Sequence, residues 1–342
     1  MTASARVLVR QSLCVPPLAL GDIASLVDLS AGTVAGRAFA DDAIYELELE
    51  RVFARGWSYL CDPDELSEAG QFVSTFTGED PVSVVRQEDG SVKSFLNSCR
   101  HRGLPVCGLA GQAPQLTCGY HGWTYALDGR LVGVIDGDVE FGRWAEDRQL
   151  ALVPVTRTVA LGGLLFGTWD ATWESGDADT YARVEAAVLA LRAQGSLTRH
   201  RRPFQFEANW KVVVEVLAGL AEAEGGLFLF PSFAALPERE LVVAVHPKGP
   251  NGTLVWVSAA PTALGDEVEP LRVAIETGLQ PEGPRTVALN LKSRATPDGC
   301  PAGDTPVALP PRHMRERAAT HLYRAWVEHM IDDSPLTGLL ST

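Results

Sequence analysis

Short runs in which apolar and polar residues alternate fill the chain from residue 40 to about residue 159. Turn residues such as Glu88-Asp89-Gly90 and Asp128-Gly129 separate these runs. Alternation with a period of two, bounded by such turns, is typical of half-buried β-strands joined by tight turns. This part of the chain therefore predicts a small all-β domain, with strands over Phe72–Phe76, Val82–Arg86, Ser94–Asn97 and Thr124–Leu127.

The second half of the chain combines helical segments with further short apolar runs. We predict an amphipathic helix at about Asp179–Arg192 and a mostly buried helix over Asn209–Glu224 that ends at Gly225-Gly226. A closing helix is predicted over about 312–331, with Leu322, Ala325, Trp326 and His329 on one face. Strands are predicted over Leu227–Phe230, Leu241–His246, Thr253–Ser258 and Val287–Leu291, so the fold class is α+β.

The longest nearly apolar run extends from Val159 to Trp169, between Arg157 and Asp170. A membrane-spanning helix needs about 20 apolar residues, and this run is shorter and interrupted by glycine. We therefore predict one buried strand here and no membrane span.

We expect no targeting signal in the N-terminal residues. Arg6 and Arg10 precede a modest apolar patch, but Pro16, Pro17 and Asp22 are incompatible with the core of a signal peptide. We therefore expect a cytoplasmic protein.

Composition narrows the range of partners. A length of 342 residues suffices for two domains, and 46% hydrophobic with 21% charged residues is ordinary for a globular protein. The formal net charge of −14 argues against nucleic acid and anionic membranes as partners, because no basic stripe is present to neutralise phosphates. An acidic surface that keeps the protein soluble is the simplest interpretation, and the alternative is a surface that orients a redox partner.

Two cysteine–histidine pairs, Cys99-x-His101 and Cys118-x-x-His121, are separated by sixteen residues. Two thiolates and two neutral imidazoles suit a [2Fe–2S] centre in which histidines replace cysteines on one iron. A zinc site is the alternative, but zinc modules usually join a cysteine pair to a histidine pair and do not mix the two in each loop. The other cysteines are expected to be reduced and mostly buried: Cys14, Cys61, Cys107 and Cys300.

The residues around these pairs, NSCRHRG and CGYHGWTYALDGRL, resemble the cluster loops of Rieske non-haem iron oxygenases. The segments DDAIYELELERVFARGWSYL and PVSVVRQEDGSVKSFLNSCRHRG follow the α-subunit pattern of the same family, so the resemblance covers at least residues 40 to 130. It implies that Cys99 and Cys118 bind the buried iron of the cluster. It also implies that His101 and His121 bind the outer iron.

The resemblance further implies a two-domain organisation. We expect a small all-β Rieske domain over 40–160 and a helix-grip, START-like domain over 161–342, in which a twisted antiparallel sheet wraps round a long helix. Residues 1–39 are expected to pack on the second domain. Within the Rieske domain, Trp123 and Tyr125 are expected to pack under the cluster loops and not to relay electrons.

The second iron site of that family is the point at which this chain departs from the pattern. In the family, a helix that opens Asn-Trp-Lys, with a Glu four residues after the Lys, continues to an acidic residue and His-x4-His. Together with a later Asp, these histidines bind a mononuclear iron. The opening is present as Asn209, Trp210, Lys211 and Glu215, but the ligands do not follow. The usual register places Leu220, Ala223 and Phe228 at the ligand positions, and a register one residue shorter places Gly219, Glu222 and Leu227 there.

Other residues do not supply the missing ligands. The stretch Asp266–Leu279 resembles the family's carboxylate segment, and Val268 lies near the ligand position between Glu267 and Glu269. The remaining histidines match no two-histidine, one-carboxylate spacing and are expected to be structural or exposed: His200, His246, His313, His321 and His329. We therefore expect a degenerate site without mononuclear Fe(II).

Three functions are compatible with this pattern. The first is a subunit that carries electrons on its cluster, has no catalytic residues of its own and works with a competent Rieske oxygenase α subunit in a trimer or hexamer. A ferredoxin or reductase would supply its electrons. The alternatives are an active oxygenase with a non-standard iron site and a purely structural subunit. An O2-activating metal needs an open coordination position, and the sequence offers no three convergent ligands for one, which favours the first function.

Overall fold

A computed structural model describes residues 20–135, 150–171, 178–194, 200–259, 267–279, 306–308 and 313–332. The chain divides into two compact units. The first unit consists of Met1–Cys14, Ser58–Glu174 and Leu336–Thr342, and the second consists of Val15–Trp57 and Ser175–Pro335. The predicted strand Val287–Leu291 lies outside the described residues.

Residues 20–57 belong to the second unit and are mostly helical. They form α1 (Leu20–Ala24), β1 (Val27–Asp28), β2 (Thr33–Ala35), α2 (Arg37–Ala40), α3 (Asp42–Glu48) and a π-helical turn over Leu49–Phe53. Helix α3 begins after Asp41, whose carboxylate accepts a hydrogen bond from the backbone N–H of Ala43 at 2.8 Å.

The sequence-based limits of the two domains differ from this division at residues 40–57. These residues were assigned to the Rieske domain, whereas chain contacts group them with the second unit. The physical reason is burial: Tyr45, Leu49 and Phe53 lie in the same apolar core as Trp210 and Leu217 of the second unit.

The described part of the first unit is built from short antiparallel strands. They are β3 (Ser58–Cys61), β4 (Gln71–Thr77), β5 (Asp80–Arg86), β6 (Val92–Leu96), β7 (Ala110–Gln112), β8 (Leu116–Thr117), β9 (Thr124–Tyr125), β10 (Leu131–Gly133), β11 (Arg157–Leu161) and β12 (Leu164–Thr168). These strands form three sheets with the orders β6-β5-β4-β7, β10-β9-β8 and β11-β12-β3. The alternation of apolar and polar residues along the sequence thus predicted this all-β unit correctly.

One prediction in this unit was wrong. The apolar run Val159–Trp169 is not a single buried strand but lies in the hairpin of β11 and β12, with Leu161 paired to Leu164. Gly162 and Gly163 form the turn, with φ angles of 57° and 90°. Two consecutive residues with positive φ are what a two-residue hairpin turn of the favoured hand requires, and glycine adopts them without steric cost.

The second unit is a five-stranded antiparallel sheet packed against a long helix. The sheet order is β13-β17-β16-β15-β14, from the strands β13 (His200–Phe206), β14 (Leu227–Leu229), β15 (Phe233–Leu236), β16 (Leu241–Pro247) and β17 (Thr253–Ala259). A three-residue strand, β18 (Pro306–Ala308), pairs with β2. The helices are α4 (Ala178–Gln194), α5 (Trp210–Ala223), α6 (Val268–Leu279) and α7 (His313–Ile331).

Alternate residues of the central strands face α5. Val243 of β16 and Val257 of β17 lie in one core with Val213 and Leu217 of α5. Helix α7 packs against α5 through a buried face that includes Trp326. The predicted α+β class, with a long central helix and a C-terminal helix, is confirmed. Among the helices within the described residues, none is both long and apolar enough to cross a membrane.

A fully buried ion pair joins three helices of this unit. The Lys211 ammonium, at the start of α5, lies 2.5 Å from the Glu48 carboxylate of α3. The indole N–H groups of Trp210 and Trp326 donate to the same carboxylate at 2.7 and 2.8 Å. Both charged side chains are at most 1% exposed, so these hydrogen bonds replace the water that the charges lose on folding.

Candidate metal centre

The four predicted ligands lie on two turns of the first unit that have the same backbone geometry. In the first turn, Gly103 N–H donates to the Cys99 carbonyl at 2.8 Å, and Cys99 N–H donates to the Leu104 carbonyl at 2.8 Å. In the second turn, Gly122 N–H donates to the Cys118 carbonyl at 3.0 Å. Cys118 N–H donates to the Trp123 carbonyl at 2.8 Å. Each turn therefore starts at a cysteine and presents a histidine at its tip.

Glycine closes each of these turns for a conformational reason. Gly103 and Gly122 have φ angles of 78° and 67°, in the left-handed region that side chains with a Cβ rarely adopt. A β-carbon at Gly122 would also lie 2.6 Å from the side chain of Ile135. The sequence pattern His-x-Gly or His-Gly after each cysteine thus has a direct geometric cause.

Asn97 fixes the base of the first turn, and the sequence reasoning missed it. Its side-chain oxygen accepts hydrogen bonds from the N–H groups of Val106 and Cys107 at 2.8 and 2.9 Å. Its amide nitrogen donates to the Cys107 carbonyl at 2.8 Å, and the residue is only 4% exposed. An uncharged side chain that both accepts and donates in a buried position is what this loop needs. The only sequence signal was an asparagine at the end of a predicted strand.

The four predicted ligands differ in burial, since the two cysteines are buried and the two histidines are partly exposed. Cys99 and Cys118 are each 3% exposed, and neither is in a disulfide. His101 and His121 are half-buried, and their ring centroids lie 4.6 Å apart with an interplanar angle of 61°. Burial raises the pKa of the Cys99 thiol, so a bound metal ion would be required to hold it as a thiolate. The residues present therefore fit a cluster with two thiolate and two imidazole ligands.

Tyr125 contacts the first turn from β9. Its hydroxyl oxygen accepts a hydrogen bond from the Arg100 N–H at 3.0 Å and lies 3.2 Å from Sγ of Cys99. The side chain is completely buried, and burial raises the pKa of Tyr125, which keeps the hydroxyl protonated. Because the oxygen already accepts from Arg100, its own proton is available to the sulfur.

Trp123 contacts the first turn in a second way. Its ring stacks on the His101 imidazole with centroids 5.0 Å apart and an interplanar angle of 7°. The side chain is 2% exposed and lies in the same apolar core as Tyr125 and both cluster-loop cysteines. The expectation that Trp123 and Tyr125 pack under the loops is met, and both also contact the first ligand turn.

Several large apolar side chains of the first unit are exposed among the described residues. We call this set the collar: Leu104 (41% exposed), Leu109 (62%), Tyr120 (57%), Val132 (38%) and Ile135 (65%). The Tyr120 ring lies 3.8 Å from the His121 ring, measured between centroids. Residues 97–127 contain no Asp or Glu but include Arg100 and Arg102, although the whole chain has a net charge of −14. The two ligand turns and the segment that joins them therefore carry no acidic side chain.

The first residues of helix α5, which match the Asn-Trp-Lys pattern described in the sequence, make hydrogen bonds within the second unit. The Asn209 carboxamide accepts from the Lys211 N–H at 3.0 Å and donates to the carbonyls of Phe39 and Pro250. Glu215 accepts a hydrogen bond from the Tyr323 hydroxyl at 3.1 Å. These residues position the helix within the core of the second unit.

The positions that the sequence registers assign to the iron ligands hold mostly apolar residues. Leu220 and Phe228 pack against the apolar core of the second unit, while Ala223 is exposed at the last position of α5. Next to it, Glu224 forms a two-pronged ion pair with Arg239, with distances of 2.8 and 2.7 Å. In the alternative register, Gly219 and Leu227 are buried and Glu222 is exposed.

The predicted carboxylate segment forms helix α6, which sequence reasoning had not assigned to an element. Val268 is its first residue and is fully buried. Glu267 lies 3.5 Å from Arg239, and Glu269 lies 2.5 Å from Arg272. Asp266 lies outside the described residues.

The remaining histidines are dispersed. His246 is buried in β16, His321 is exposed on α7, and the Nδ1 of His329 lies 2.8 Å from the Ala325 carbonyl oxygen. Burial lowers the pKa of His246 to about 3, so it is neutral at ordinary pH. Nothing is described of the side chains of His200 and His313. Within the part of the chain that the structure describes, no group of three His, Cys, Asp or Glu side chains converges as for a single metal ion.

Comparison with known proteins agrees with the geometry of the first unit. The model of the Rieske [2Fe–2S] domain matches residues 56–138. The chain is 43% identical over 209 residues to the biphenyl dioxygenase subunit alpha of Metapseudomonas furukawaii, covering 56% of this chain and 44% of that one. It is 42% identical over 161 residues to the benzene 1,2-dioxygenase subunit alpha of Pseudomonas putida, covering 47% and 35%. The chain thus spans less than half the length of these relatives.

Solved structures show the same fold over nearly the whole chain. Naphthalene 1,2-dioxygenase with indole bound in the active site superposes with a TM-score of 0.67 at 18% identity, covering 90% of this chain and 94% of that one. A quaternary ammonium Rieske monooxygenase gives a TM-score of 0.67 at 17% identity, covering 93% and 100%. At such identities the likeness shows the fold alone. The chain therefore contains a Rieske [2Fe–2S] domain, and it is similar to α subunits of Rieske oxygenases in sequence over part of its length and in fold over most of it.

Proposed function

We propose that this chain is an electron-transfer subunit of a Rieske oxygenase, which carries a [2Fe–2S] cluster but no mononuclear iron of its own. Cys99, His101, Cys118 and His121 hold the cluster, which when bound supplies one-electron transfer. The two cysteines anchor it in the buried core of the first unit, and the two histidines hold its outer iron near the surface. The complete cluster donor set carries the proposal, together with the apolar residues Ala223 and Phe228, which the sequence register assigns to the family's iron-ligand positions.

The second unit supports this function as a scaffold. Its helix α5 keeps the family's opening residues, and they serve to cap and fix the helix. At its other end the helix is held by the ion pair between Glu224 and Arg239. A carboxylate paired on both oxygens with a guanidinium is poorly available to a metal ion, because binding would require breaking two charge-assisted hydrogen bonds.

The partner follows from what the subunit lacks. An electron held on this chain needs an acceptor, and the relatives named above are α subunits of dioxygenases. The acceptor we propose is the iron of a second, catalytically competent Rieske oxygenase α subunit, in a trimer or hexamer in which unlike subunits alternate. A ferredoxin or reductase supplies the electrons. The exposed apolar side chains of the collar, of which Tyr120 contacts His121, together with the basic Arg102 suit contact with an acidic protein partner.

In this function, the residues of this chain would hold the cluster in place and would take no part in chemical steps on a substrate. The two ligand turns fix the four donor atoms, and the buried cysteine side would exclude water from a bound cluster. The half-buried histidines would leave such a cluster within reach of a protein partner. No acid–base or substrate-binding role is assigned to any residue of this chain.

Purification from the native host tests the proposal. The tagged chain should co-purify with a Rieske α subunit that carries the complete His-x4-His sequence, identified by mass spectrometry. In the purified complex, Cys99→Ser should abolish turnover or reduce it at least about tenfold. Cys107→Ser is the matched control, because Cys107 is a buried cysteine of the same loop outside the ligand set.

The alternatives give different outcomes. Product formed by the isolated, homogeneous chain with reductase, ferredoxin and substrate would show an active oxygenase with a non-standard iron site. A complex that keeps full activity with Cys99→Ser would show a purely structural subunit. Either result would refute the electron-transfer function.

A further inference from the structure

We infer that Trp123 is a positioning residue that sets the ring plane of the ligand His101 and thereby tunes the cluster. The inference rests on the ligand set proposed above and goes beyond it, because Trp123 is not a ligand. The two rings are nearly parallel, with an interplanar angle of 7° and centroids 5.0 Å apart. An offset parallel contact against the ring face constrains rotation of the imidazole about its Cβ–Cγ bond.

The backbone alone does not fix this rotation. The turn that starts at Cys99 determines where His101 leaves the chain, but the torsion that turns an imidazole ring is broad and has no sharp staggered minima. His101 is also only half-buried, so solvent occupies part of its surroundings. A rigid neighbour is needed if the ring is to keep one plane.

Trp123 is rigid enough to serve as that neighbour. Its side chain is 2% exposed and packs in the core with Tyr125 and Leu131. Its carbonyl closes the second ligand turn by accepting from the Cys118 N–H at 2.8 Å. One residue therefore closes the turn of one ligand pair with its backbone and supports a ligand of the other pair with its ring.

The second histidine has a different kind of neighbour. His121 lies against Tyr120, whose ring is tilted by 39° and whose side chain is 57% exposed. An exposed ring is free to move, so it constrains His121 less than Trp123 constrains His101. The two imidazoles are thus held unequally, and the 61° angle between them is set mainly from the His101 side.

This arrangement affects the cluster through ligand orientation. The plane of an imidazole determines which iron orbitals it overlaps, and groups that orient a ligand change the potential and electronic structure of the metal. Loss of the ring face at position 123 should therefore alter the cluster without removing any ligand.

Two variants of the cluster-loaded full chain test the inference. Trp123→Phe keeps a ring face and should leave the EPR g-values of the reduced cluster close to parental. Trp123→Leu removes the face and should broaden or shift the EPR signal, with a change of about tenfold in the reduction equilibrium, about 59 mV for one electron. Trp169→Leu is the control, because Trp169 is 3% exposed in the same unit but lies outside the cluster core. It should lower the melting temperature and leave the g-values unchanged.

A Trp123→Leu variant with full cluster loading, parental g-values and a parental potential would overturn the inference and leave Trp123 as ordinary packing. If Trp123→Leu assembles no cluster, the comparison is made between Trp123→Phe and Trp123→Met. A shifted spectrum in the Met variant alone supports the inference, and identical spectra overturn it. Failure of the proposed ligand set is distinguishable, because the parental chain would then show no Rieske EPR signal. Failure of the electron-transfer role would leave that signal intact and would appear only in the turnover of the complex.

Discussion

The hydroxyl oxygen of Tyr125 lies 3.2 Å from Sγ of Cys99, at the bottom of the first ligand turn. Tyr125 is completely buried, and its oxygen also accepts the Arg100 N–H. An iron-bound thiolate has no proton to give, so in the cluster-loaded protein the hydroxyl donates to the sulfur.

Tyr125→Phe should lower the reduction potential of the cluster. The hydrogen bond to sulfur stabilises the extra electron of the reduced state, and a loss of about 1 kcal/mol corresponds to roughly 40 mV for one electron. Redox titration followed by visible absorption measures the change. An unchanged potential in the Phe variant would show that the hydroxyl does not donate to the sulfur.

Replacement of either histidine should destroy the Rieske signature. His101→Ala and His121→Ala each remove an iron ligand, so the visible absorption and the reduced-state EPR signal should be lost. His321→Ala, at an exposed position of α7, is the control and should keep both signals. Retention of the full spectrum in either ligand variant would show that the ligand assignment is wrong.

Lys211→Met should strongly destabilise the second unit. It leaves the Glu48 carboxylate, which is 0% exposed, without its counter-charge. Removal of one partner from a buried ion pair typically costs about 3–5 kcal/mol of unfolding free energy. Urea denaturation followed by circular dichroism measures it. The double variant Lys211→Met, Glu48→Gln should recover part of the loss, and a single variant as stable as the parent would contradict the expected role of the pair.

The buried histidine of β16 should make the fold sensitive to acid. Burial, with smaller effects from Lys248 and Arg201, lowers the pKa of His246 to about 3 from an ordinary value of 6.5. Between these values the unfolded chain binds a proton that the folded chain excludes, so the unfolding free energy rises with pH and levels off above about 6.5. On acidification the stability is lost progressively, by up to about 1.4 kcal/mol for each pH unit.

His246→Gln should remove that part of the pH dependence. Urea unfolding at about pH 5 and about pH 7 gives the slope for the parent and the variant. His321→Gln is the control, because His321 is exposed. Equal slopes in the parent and the His246 variant would mean that His246 does not titrate differently in the two states.

The sequence predicted the elements whose signals are local. The cluster turns could be located because cysteine, histidine and glycine lie within a few residues of each other, as in Cys99 to Gly103. Helix α5 was predicted within about one residue at each end, because Asn209 caps it and Gly225-Gly226 follows it.

Features that depend on tertiary contacts were missed. Strand β13 contains Pro203 and several exposed residues, which an edge strand tolerates, so it lacks the alternation of a half-buried strand. The stacking of Trp123 on His101 joins residues 22 positions apart, and the hydrogen bonds between Asn97 and Cys107 join residues 10 positions apart. No spacing rule in one sequence connects such pairs.

The iron and acid-labile sulfide content of the purified chain tests the central claim most directly. A subunit with a [2Fe–2S] cluster and no mononuclear site should contain about two irons and about two sulfides per chain. The reduced sample should also show a Rieske EPR signal that accounts for about one spin per chain. About three irons with two sulfides would contradict the account if the third iron stays bound on desalting and can then be removed without changing that signal. Such a result would restore an iron site to the second unit.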